Sequence, residues 1–322
     1  MSSCGDSFRT NGRVSTLGTG DIFGENEKPE LPDNGSSPEG GLPFSMSRRD
    51  VLDSLKDRGF RFDHRKGQNF LFDGNLLRAL VRDSGVSGGS TVLEVGPGAG
   101  TLTSALLGHG CHVIAVELDP ILVEHLRTEF GDSELKVVEA DALATKNRLS
   151  EPLLSALPQG EFHLVANLPY SIASPLVCML VEQCPQMASF SVLVQREVAE
   201  RWVAGPATRE YGTSSVLLGF LGEARIMRHV PPHAFIPAPR VESSFVRWQR
   251  SWPVPVVPKG WMALVRECFQ GRRKSLSRLL GKKGVKSWSV LGVEPGTRPD
   301  QVSPEQWVEL AHICLAANPD ND

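Results

Sequence analysis

Residues 164–170 read Leu-Val-Ala-Asn-Leu-Pro-Tyr, and this stretch decides the predicted fold. The apolar run over residues 162–166 is typical of a short buried strand. Pro169 has no N–H to donate to a sheet, so the strand stops before it. Its carboxyl end presents the amide of Asn167, backbone carbonyls and the ring of Tyr170. In open α/β sheets, ligands bind at this end of the strands.

The polar groups after this strand suit the chemistry of an aromatic amine. The exocyclic amine of adenine is a poor nucleophile because its lone pair is delocalised into the ring. The side-chain oxygen of Asn167 and the backbone carbonyl of Leu168 can accept its two protons, which aims the lone pair at an electrophile. Tyr170 can stack on an extruded base, a contact that contributes about 1–3 kcal/mol. A strand-ending turn with a packed tyrosine is the structural alternative.

A glycine-rich turn follows an earlier predicted strand. Residues 91–100 read Thr-Val-Leu-Glu-Val-Gly-Pro-Gly-Ala-Gly and predict a buried strand, a tight turn and a helix from about Thr101. The NAD-binding pattern G-x-G-x-x-G fails in both registers, counted from Gly96 or from Gly98. The stretch therefore predicts a nucleoside site and disfavours a NAD dehydrogenase.

Two carboxylates follow the next two predicted strands. Residues 112–116 lead into Glu117, which lies 19 residues after Gly98, and residues 135–139 lead to Asp141. A carboxylate at the first position can accept the ribose hydroxyls of an adenosyl ligand. The second can accept from an adenine amine. Alternating strands and helices place all these strand ends on one rim of a parallel sheet.

The rest of the chain predicts further elements around this rim. Asp73 is placed to cap a helix. Later strands are predicted over residues 189–195, 213–221 and 243–248, with a helix over 196–204. The proline-dense stretch 230–239 holds Phe235 rigidly, either beside the pocket opposite Tyr170 or as a packed core ring. C-terminal helices are predicted near residues 259–270, 274–281, 286–291 and 304–316.

Composition limits the classes of protein to consider. No apolar run approaches 18 residues and no basic and apolar signal sequence begins the chain, so neither a membrane span nor secretion is expected. The six cysteines form no C-x-x-C pair, which favours reduced cytosolic thiols and no metal site. Residues 1–44 are rich in Gly, Ser, Pro and acids and predict a disordered acidic tail with a net charge of −4.

A concentrated positive charge lies near the C-terminus. Residues 237–290 hold twelve Lys or Arg residues against two Glu residues, a net charge of +10. Such a segment suits a polyanion, with phosphate contacts that depend on salt. A solvated basic helix face is the alternative. The candidate RNA contacts are Arg272, Arg273, Lys274 and Arg278.

From about Lys66 to the C-terminus, the chain resembles the small-subunit ribosomal RNA adenine dimethyltransferases, the family responsible for kasugamycin sensitivity. The motifs that carry the resemblance occur in the family's order: residues 67–71, 94–98, 117–119, 167–170, 203–206, 230–237 and 272–274. Lys66 stands where the family often has Phe or Leu, and Ala166 where Gly is frequent.

The resemblance implies an α/β fold: a Rossmann-like, seven-stranded S-adenosylmethionine-dependent methyltransferase domain whose seventh strand is antiparallel, with a small C-terminal all-helical domain. We divide the chain into a tail (1–44), a methyltransferase domain (45–252) and an RNA-binding domain (253–322). The resemblance also implies dimethylation of two adjacent adenines in the 3′-terminal hairpin loop of 16S rRNA. It implies that the enzyme is a cytoplasmic monomer that acts on the immature small subunit.

Site residues follow motif by motif from the resemblance. The predicted donor-binding residues are Asn69, Leu71, Gly96, Glu117, Asp141 and Asn167. The predicted target-adenine residues are Asn167, Leu168, Pro169, Tyr170 and Phe235. Two rival functions are a resistance-type methyltransferase of large-subunit rRNA, and a non-catalytic ribosome-assembly or transcription factor that retains the fold.

Overall fold

A seven-stranded sheet organises the chain in the computed structural model, which describes residues 48–63, 67–131, 133–281, 285, 288 and 292–316. The predicted tail, Lys66 and, apart from Trp288, the predicted helix near residues 286–291 lie outside these residues. None of the described helices is both long and apolar enough to cross a lipid bilayer.

Strands and helices alternate through the first two thirds of the described chain. The strands are β1 (Phe70–Leu71), β2 (Thr91–Val95), β3 (His112–Glu117), β4 (Leu135–Glu139), β5 (Leu143–Thr145), β6 (Arg148–Leu149), β7 (Phe162–Asn167), β8 (Met187–Gln195), β9 (Gly222–Val230), β10 (Phe235–Ile236) and β11 (Ser243–Arg250). The helices are α1 (Arg48–Asp57), α2 (Gly74–Ser84), α3 (Thr101–Gly108), α4 (Pro120–Phe130), α5 (Glu151–Ala156), α6 (Tyr170–Gln183), α7 (Arg196–Trp202), α8 (Thr213–Leu221), α9 (Trp261–Gln270), α10 (Leu276–Leu280) and α11 (Pro304–Ala316).

The main sheet has the order β4-β3-β2-β7-β8-β11-β9. Its first five strands are parallel, and β11 runs antiparallel to both β8 and β9. β11 is the seventh strand of this sheet in chain order, so the arrangement confirms the predicted fold with its antiparallel seventh strand. Two short pairs, β1 with β10 and β5 with β6, lie outside the main sheet.

Capping side chains fix where two of the helices begin. Asp73 Oδ1 accepts the Leu76 N–H at 3.0 Å, as predicted, and starts α2. Asp119 Oδ1 accepts the Ile121 N–H at 3.1 Å and starts α4. Each bond satisfies one of the N–H groups that a helix start leaves unpaired, which stabilises the helix by about 1 kcal/mol.

The predicted strand over residues 213–221 is wrong, because these residues form helix α8. The Ser215 hydroxyl donates to the Arg201 carbonyl and accepts the Gly212 N–H, which ties the helix start to α7. Six of the nine residues of α8 are buried, and five of them are consecutive (214–218), so they cover every face of the helix. The helix therefore has no polar stripe, and its sequence resembles an apolar strand. The strand is instead β9, whose burial alternates as at a sheet edge.

The C-terminal helices share one apolar core with the sheet. Trp261 and Trp307, from α9 and α11, belong to the same cluster of buried residues as Phe190 and Trp248 from β8 and β11. The predicted boundary after residue 252 falls in the segment between β11 and α9, which holds neither helix nor strand. The division into a methyltransferase part and an RNA-binding part stays a prediction.

Candidate active site

A cavity of about 300 Å³ opens at the carboxyl ends of the parallel strands. It lies at the ends of β2, β3, β4 and β7, where ligands of α/β sheets bind. The six predicted donor-binding residues all line it, although they are scattered over almost 100 positions of sequence: Asn69, Leu71, Gly96, Glu117, Asp141 and Asn167.

The turn after β2 forms one wall through two glycines with positive φ. Gly96 has φ +70° and Gly98 has φ +56°, a backbone region that side chains disfavour. A Cβ on Gly96 would lie 3.1 Å from Pro169 Cδ, and one on Gly98 would lie 2.6 Å from Phe70 Cε1. These glycines therefore let the turn, the loop of residues 167–170 and β1 approach one another around the cavity.

Glu117 holds this turn with its carboxylate. Its Oε2 accepts the Gly98 N–H at 3.1 Å, and its Oε1 accepts the N–H groups of Leu118 and Asp119 at 2.9 and 3.0 Å. Burial raises the pKa of Glu117, and these three hydrogen bonds oppose that rise. A carboxylate offers about four acceptor positions, so about one remains for a ligand hydroxyl. For Glu117 to accept two ribose hydroxyls, its hydrogen bond from the Gly98 N–H would have to break.

Glu94 is a second buried carboxyl of the cavity, to which the sequence analysis gave no role. It is 1% exposed on β2, and its Oε2 accepts the Thr103 hydroxyl at 2.6 Å. Burial raises the pKa of Glu94 to about 8, with a further contribution from the charge of Glu117. The Glu94 carboxyl is therefore mainly protonated at neutral pH.

Replacing Glu94 with glutamine should change how stability depends on pH. In the unfolded chain this carboxyl ionises near its ordinary pKa of 4.5, whereas in the folded chain it keeps its proton up to about pH 8. The wild-type free energy of unfolding should therefore fall as pH rises from 4.5 to 8. Glu94→Gln should remove on the order of 3 kcal/mol of that fall, as measured by urea unfolding at pH 5 and pH 8. Exposed Glu124→Gln is the control, and parallel wild-type and Glu94→Gln profiles would contradict this pKa.

Asn167 is oriented by a contact across 98 residues of sequence. Its Nδ2 donates to the Asn69 carbonyl at 2.7 Å, and the Asn69 side chain in turn donates to the Gly67 carbonyl at 3.1 Å. Because the carboxamide is planar, fixing its nitrogen also fixes the direction of Oδ1. The side chain lines the cavity, so its oxygen is an oriented acceptor at the end of β7.

Leu71 and Asp141 are two further residues that line the cavity. The Leu71 carbonyl accepts the Thr101 hydroxyl at 2.7 Å, which fixes β1 against the start of α3. Asp141 is exposed after β4, and its Oδ1 accepts the Leu143 N–H at 2.8 Å. Its second carboxylate oxygen adds a further acceptor at the rim.

The predicted target-adenine residues lie in different surroundings. Asn167 and Pro169 line the cavity, and the side chain of Leu168 is 2% exposed in the core. Tyr170 is half-buried at the first position of α6. Phe235 is 2% exposed and packs in an apolar core. Phe235 does not line the described cavity, so a stacking role would require its ring to leave that core.

The four basic residues that the sequence predicts as RNA contacts also divide into two groups. Arg273, Lys274 and Arg278 are exposed between α9 and α10 or on α10. Arg272 instead makes contacts within the chain: Nη2 donates to the carbonyls of Thr208 and Arg209 at 3.0 and 2.8 Å. Its Nε donates to Asp300 Oδ2 at 3.3 Å. The guanidinium of Arg272 therefore secures the loop of residues 205–210.

Replacing Arg272 with alanine should lower the stability of the folded chain, because its guanidinium is bonded within the chain. The variant loses hydrogen bonds to two carbonyls and one carboxylate, so its free energy of unfolding should fall by about 1–2 kcal/mol. Arg272→Lys should recover little, since an ammonium lacks the planar fork that reaches three acceptors. Urea unfolding measures the effect, with exposed Arg273→Ala as the matched control. Equal stability of the two alanine variants would contradict the structural role.

Comparisons with known proteins identify the family to which the chain belongs. The family described as "Ribosomal RNA adenine dimethylase" matches residues 59–315. A relative from Alcanivorax borkumensis, named ribosomal RNA small subunit methyltransferase A, is 37% identical over 258 residues, 77% of this chain and 89% of its own. A relative of the same name from Mycobacterium tuberculosis is 37% identical over 282 residues, 82% of this chain and 87% of its own.

Two solved structures share the fold. The 23S rRNA methyltransferase ErmE has 25% identity and a TM-score of 0.59, over 76% of this chain and 99% of its own. A dimethyladenosine transferase from Plasmodium falciparum has 22% identity and a TM-score of 0.62, over 75% and 95% of the two chains. With the family match over most of its length, the chain is a methyltransferase that belongs to the ribosomal RNA adenine dimethylase family.

Proposed function

We propose that this enzyme transfers methyl groups from S-adenosylmethionine to the exocyclic amines of two adjacent adenines in the 3′-terminal hairpin loop of 16S rRNA. The observation that carries the proposal is the oriented carboxamide of Asn167 at the rim of the cavity. The names of the relatives at 37% identity support the small subunit as the target.

The donor set of the cavity suits S-adenosylmethionine. The ligand carries positive charge at its sulfonium and ammonium groups and has hydroxyls on its ribose. The cavity presents the carboxylates of Glu117 and Asp141, together with the protonated carboxyl of Glu94. Asn69, Leu71 and the Gly96 turn supply the remaining walls. When bound, the ligand supplies an electrophilic methyl group, so no strong base is required.

The protein's own part is to hold the adenine amine in line with that methyl group. Asn167 Oδ1 accepts one amine proton and the Leu168 carbonyl accepts the other, which directs the nitrogen lone pair toward the donor. The ring of Tyr170 stacks on the extruded base and excludes water from one face. The proton released after transfer leaves to water. In this proposal, the orientation of the adenine amine relative to the methyl group supplies most of the rate enhancement.

The RNA is held by the C-terminal basic residues in this proposal. Arg273, Lys274 and Arg278 are exposed on one segment and can contact phosphates. The proposed partner is the immature small ribosomal subunit. In this proposal the enzyme is a monomer that acts in the cytoplasm and has a role in small-subunit biogenesis. Residues 253–322 are thereby assigned to RNA binding and residues 45–252 to methyl transfer.

A methylation assay on immature small subunits tests the proposal. Purified enzyme and labelled S-adenosylmethionine are incubated with small or large subunits, and mass spectrometry maps the modified nucleotides. Dimethyladenosine at two adjacent positions of the small-subunit hairpin loop is the expected result. Methylation of large-subunit rRNA would favour the resistance-type activity, and donor binding without transfer would favour a non-catalytic factor.

A further inference from the structure

The ring of Tyr170 is held by a hydrogen bond that lies outside the cavity. Its hydroxyl lies 2.6 Å from the hydroxyl of Ser243, which is 73 residues away in sequence. Burial raises the pKa of the Tyr170 phenol, so its hydroxyl is protonated at neutral pH. Since Tyr170 is also the first residue of α6, both its backbone and the far end of its ring are fixed.

Ser243 lies at a rigid point of the sheet. It is the first residue of β11, is 0% exposed, and pairs with Gln195 of β8 on one side and Val230 of β9 on the other. The carbonyl of the preceding residue, Glu242, accepts the Arg196 N–H at 3.0 Å, and its carboxylate accepts Arg196 Nη1 at 2.8 Å. The backbone of Ser243 is therefore anchored by three strands and the start of α7, which gives its hydroxyl a fixed base.

We propose that Ser243 is a positioning residue for methyl transfer, because its hydroxyl sets the tilt of the Tyr170 ring on which the target adenine stacks. This inference rests on the proposed function. Tyr170→Phe would keep the aromatic ring, but the ring would be free to rotate about its side-chain torsions. A rocking ring would hold the adenine amine in line with the donor for a smaller fraction of the time.

The contact differs from a hydrogen bond that serves stability alone. A merely structural pair would change the melting temperature when broken but leave the turnover number of the folded enzyme unchanged. A positioning pair should change kcat and leave the KM for RNA close to wild type, because the basic surface still binds the RNA. The two roles can therefore be separated by kinetics.

A double-mutant cycle tests the proposal on the full-length enzyme. Tyr170→Phe, Ser243→Ala and the double variant are assayed for methylation of immature small subunits, with separate kcat and KM values. Each variant should lose about three- to tenfold in kcat, the loss expected for one hydrogen bond, and the double variant should lose no more than either single variant. Ser243→Thr, which keeps a hydroxyl, should recover most of the activity.

Two results would overturn the proposal: wild-type kcat in folded Ser243→Ala, or a double variant whose loss is the product of the single losses. If Ser243→Ala does not fold, Tyr170→Phe removes the same hydrogen bond from the other side, and a wild-type kcat in that variant is equally decisive. The wild-type reaction separates this inference from the proposed function. An enzyme that methylates no adenine refutes the function, whereas an active enzyme with insensitive variants refutes only the role of Ser243.

Discussion

Asn167→Ala is expected to reduce methyl transfer to adenine by at least about 100-fold, the loss that follows when a reacting group is no longer aligned. The variant lacks the side-chain oxygen that accepts an amine proton in our proposal. It also loses one hydrogen bond, to the Asn69 carbonyl, which costs about 1 kcal/mol and leaves the fold intact. Single-turnover transfer to small-subunit rRNA is the measurement.

Two further variants sharpen this prediction. Asn75→Ala is the matched control, because Asn75 is exposed on α2 and its amide oxygen accepts only from Arg78 in the described hydrogen bonds. Asn167→Asp keeps an acceptor but places a negative charge against the Asn69 carbonyl, so it should also be strongly impaired. Near-normal transfer by Asn167→Ala, with normal unfolding, would remove Asn167 from the mechanism.

Neutralising Arg273, Lys274 and Arg278 together should weaken RNA binding by on the order of 100-fold at low salt and flatten its salt dependence. Each lost phosphate contact reduces the magnitude of the slope of log affinity against log salt by about 0.7–0.9, so the loss of three contacts reduces it by about 2–3. Arg272 is left unchanged because its guanidinium is bonded within the chain. Binding is measured by titration from 50 to 300 mM salt (about the range over which this term dominates).

A second triple variant controls for the loss of charge itself. Arg127, Lys136 and Lys146 are exposed around β4, which is an edge strand of the main sheet. Neutralising them removes the same net charge from a different surface, and the salt slope should stay close to wild type. If both triple variants change the slope equally, RNA is attracted by overall charge and the basic segment is only a solvated face.

Much of the fold follows from local sequence patterns, and its main error has a physical cause. Short apolar strands ending in glycine, carboxylate or amide residues placed β2, β3, β4 and β7 correctly. The error at α8 arises because its buried residues 214–218 are consecutive and cover every face of the helix, so the sequence carries no helical periodicity. Such a helix is recognised only when the elements packed around it are known, and a local sequence pattern does not reveal that packing.

The site was predictable where residues follow strand ends, and less so where they act through distant contacts. Glu117 and Asn167 end parallel strands, so their meeting at one rim follows from topology. Glu94 lies inside a strand, and only the cavity behind it reveals its raised pKa. The contacts of Arg272 with the loop of residues 205–210, and of Tyr170 with Ser243, join residues more than 60 positions apart. No sequence motif or residue spacing predicts these two contacts.

A structure of the enzyme with S-adenosylhomocysteine and an RNA hairpin that carries the two adenines tests the central claim most directly. We predict an adenine turned out of the RNA and stacked on Tyr170, with its amine within hydrogen-bonding distance of Asn167 Oδ1 and the Leu168 carbonyl. The cofactor product should fill the cavity between Gly96, Glu117 and Asp141. An adenine bound elsewhere, or a cofactor outside this cavity, would contradict the account.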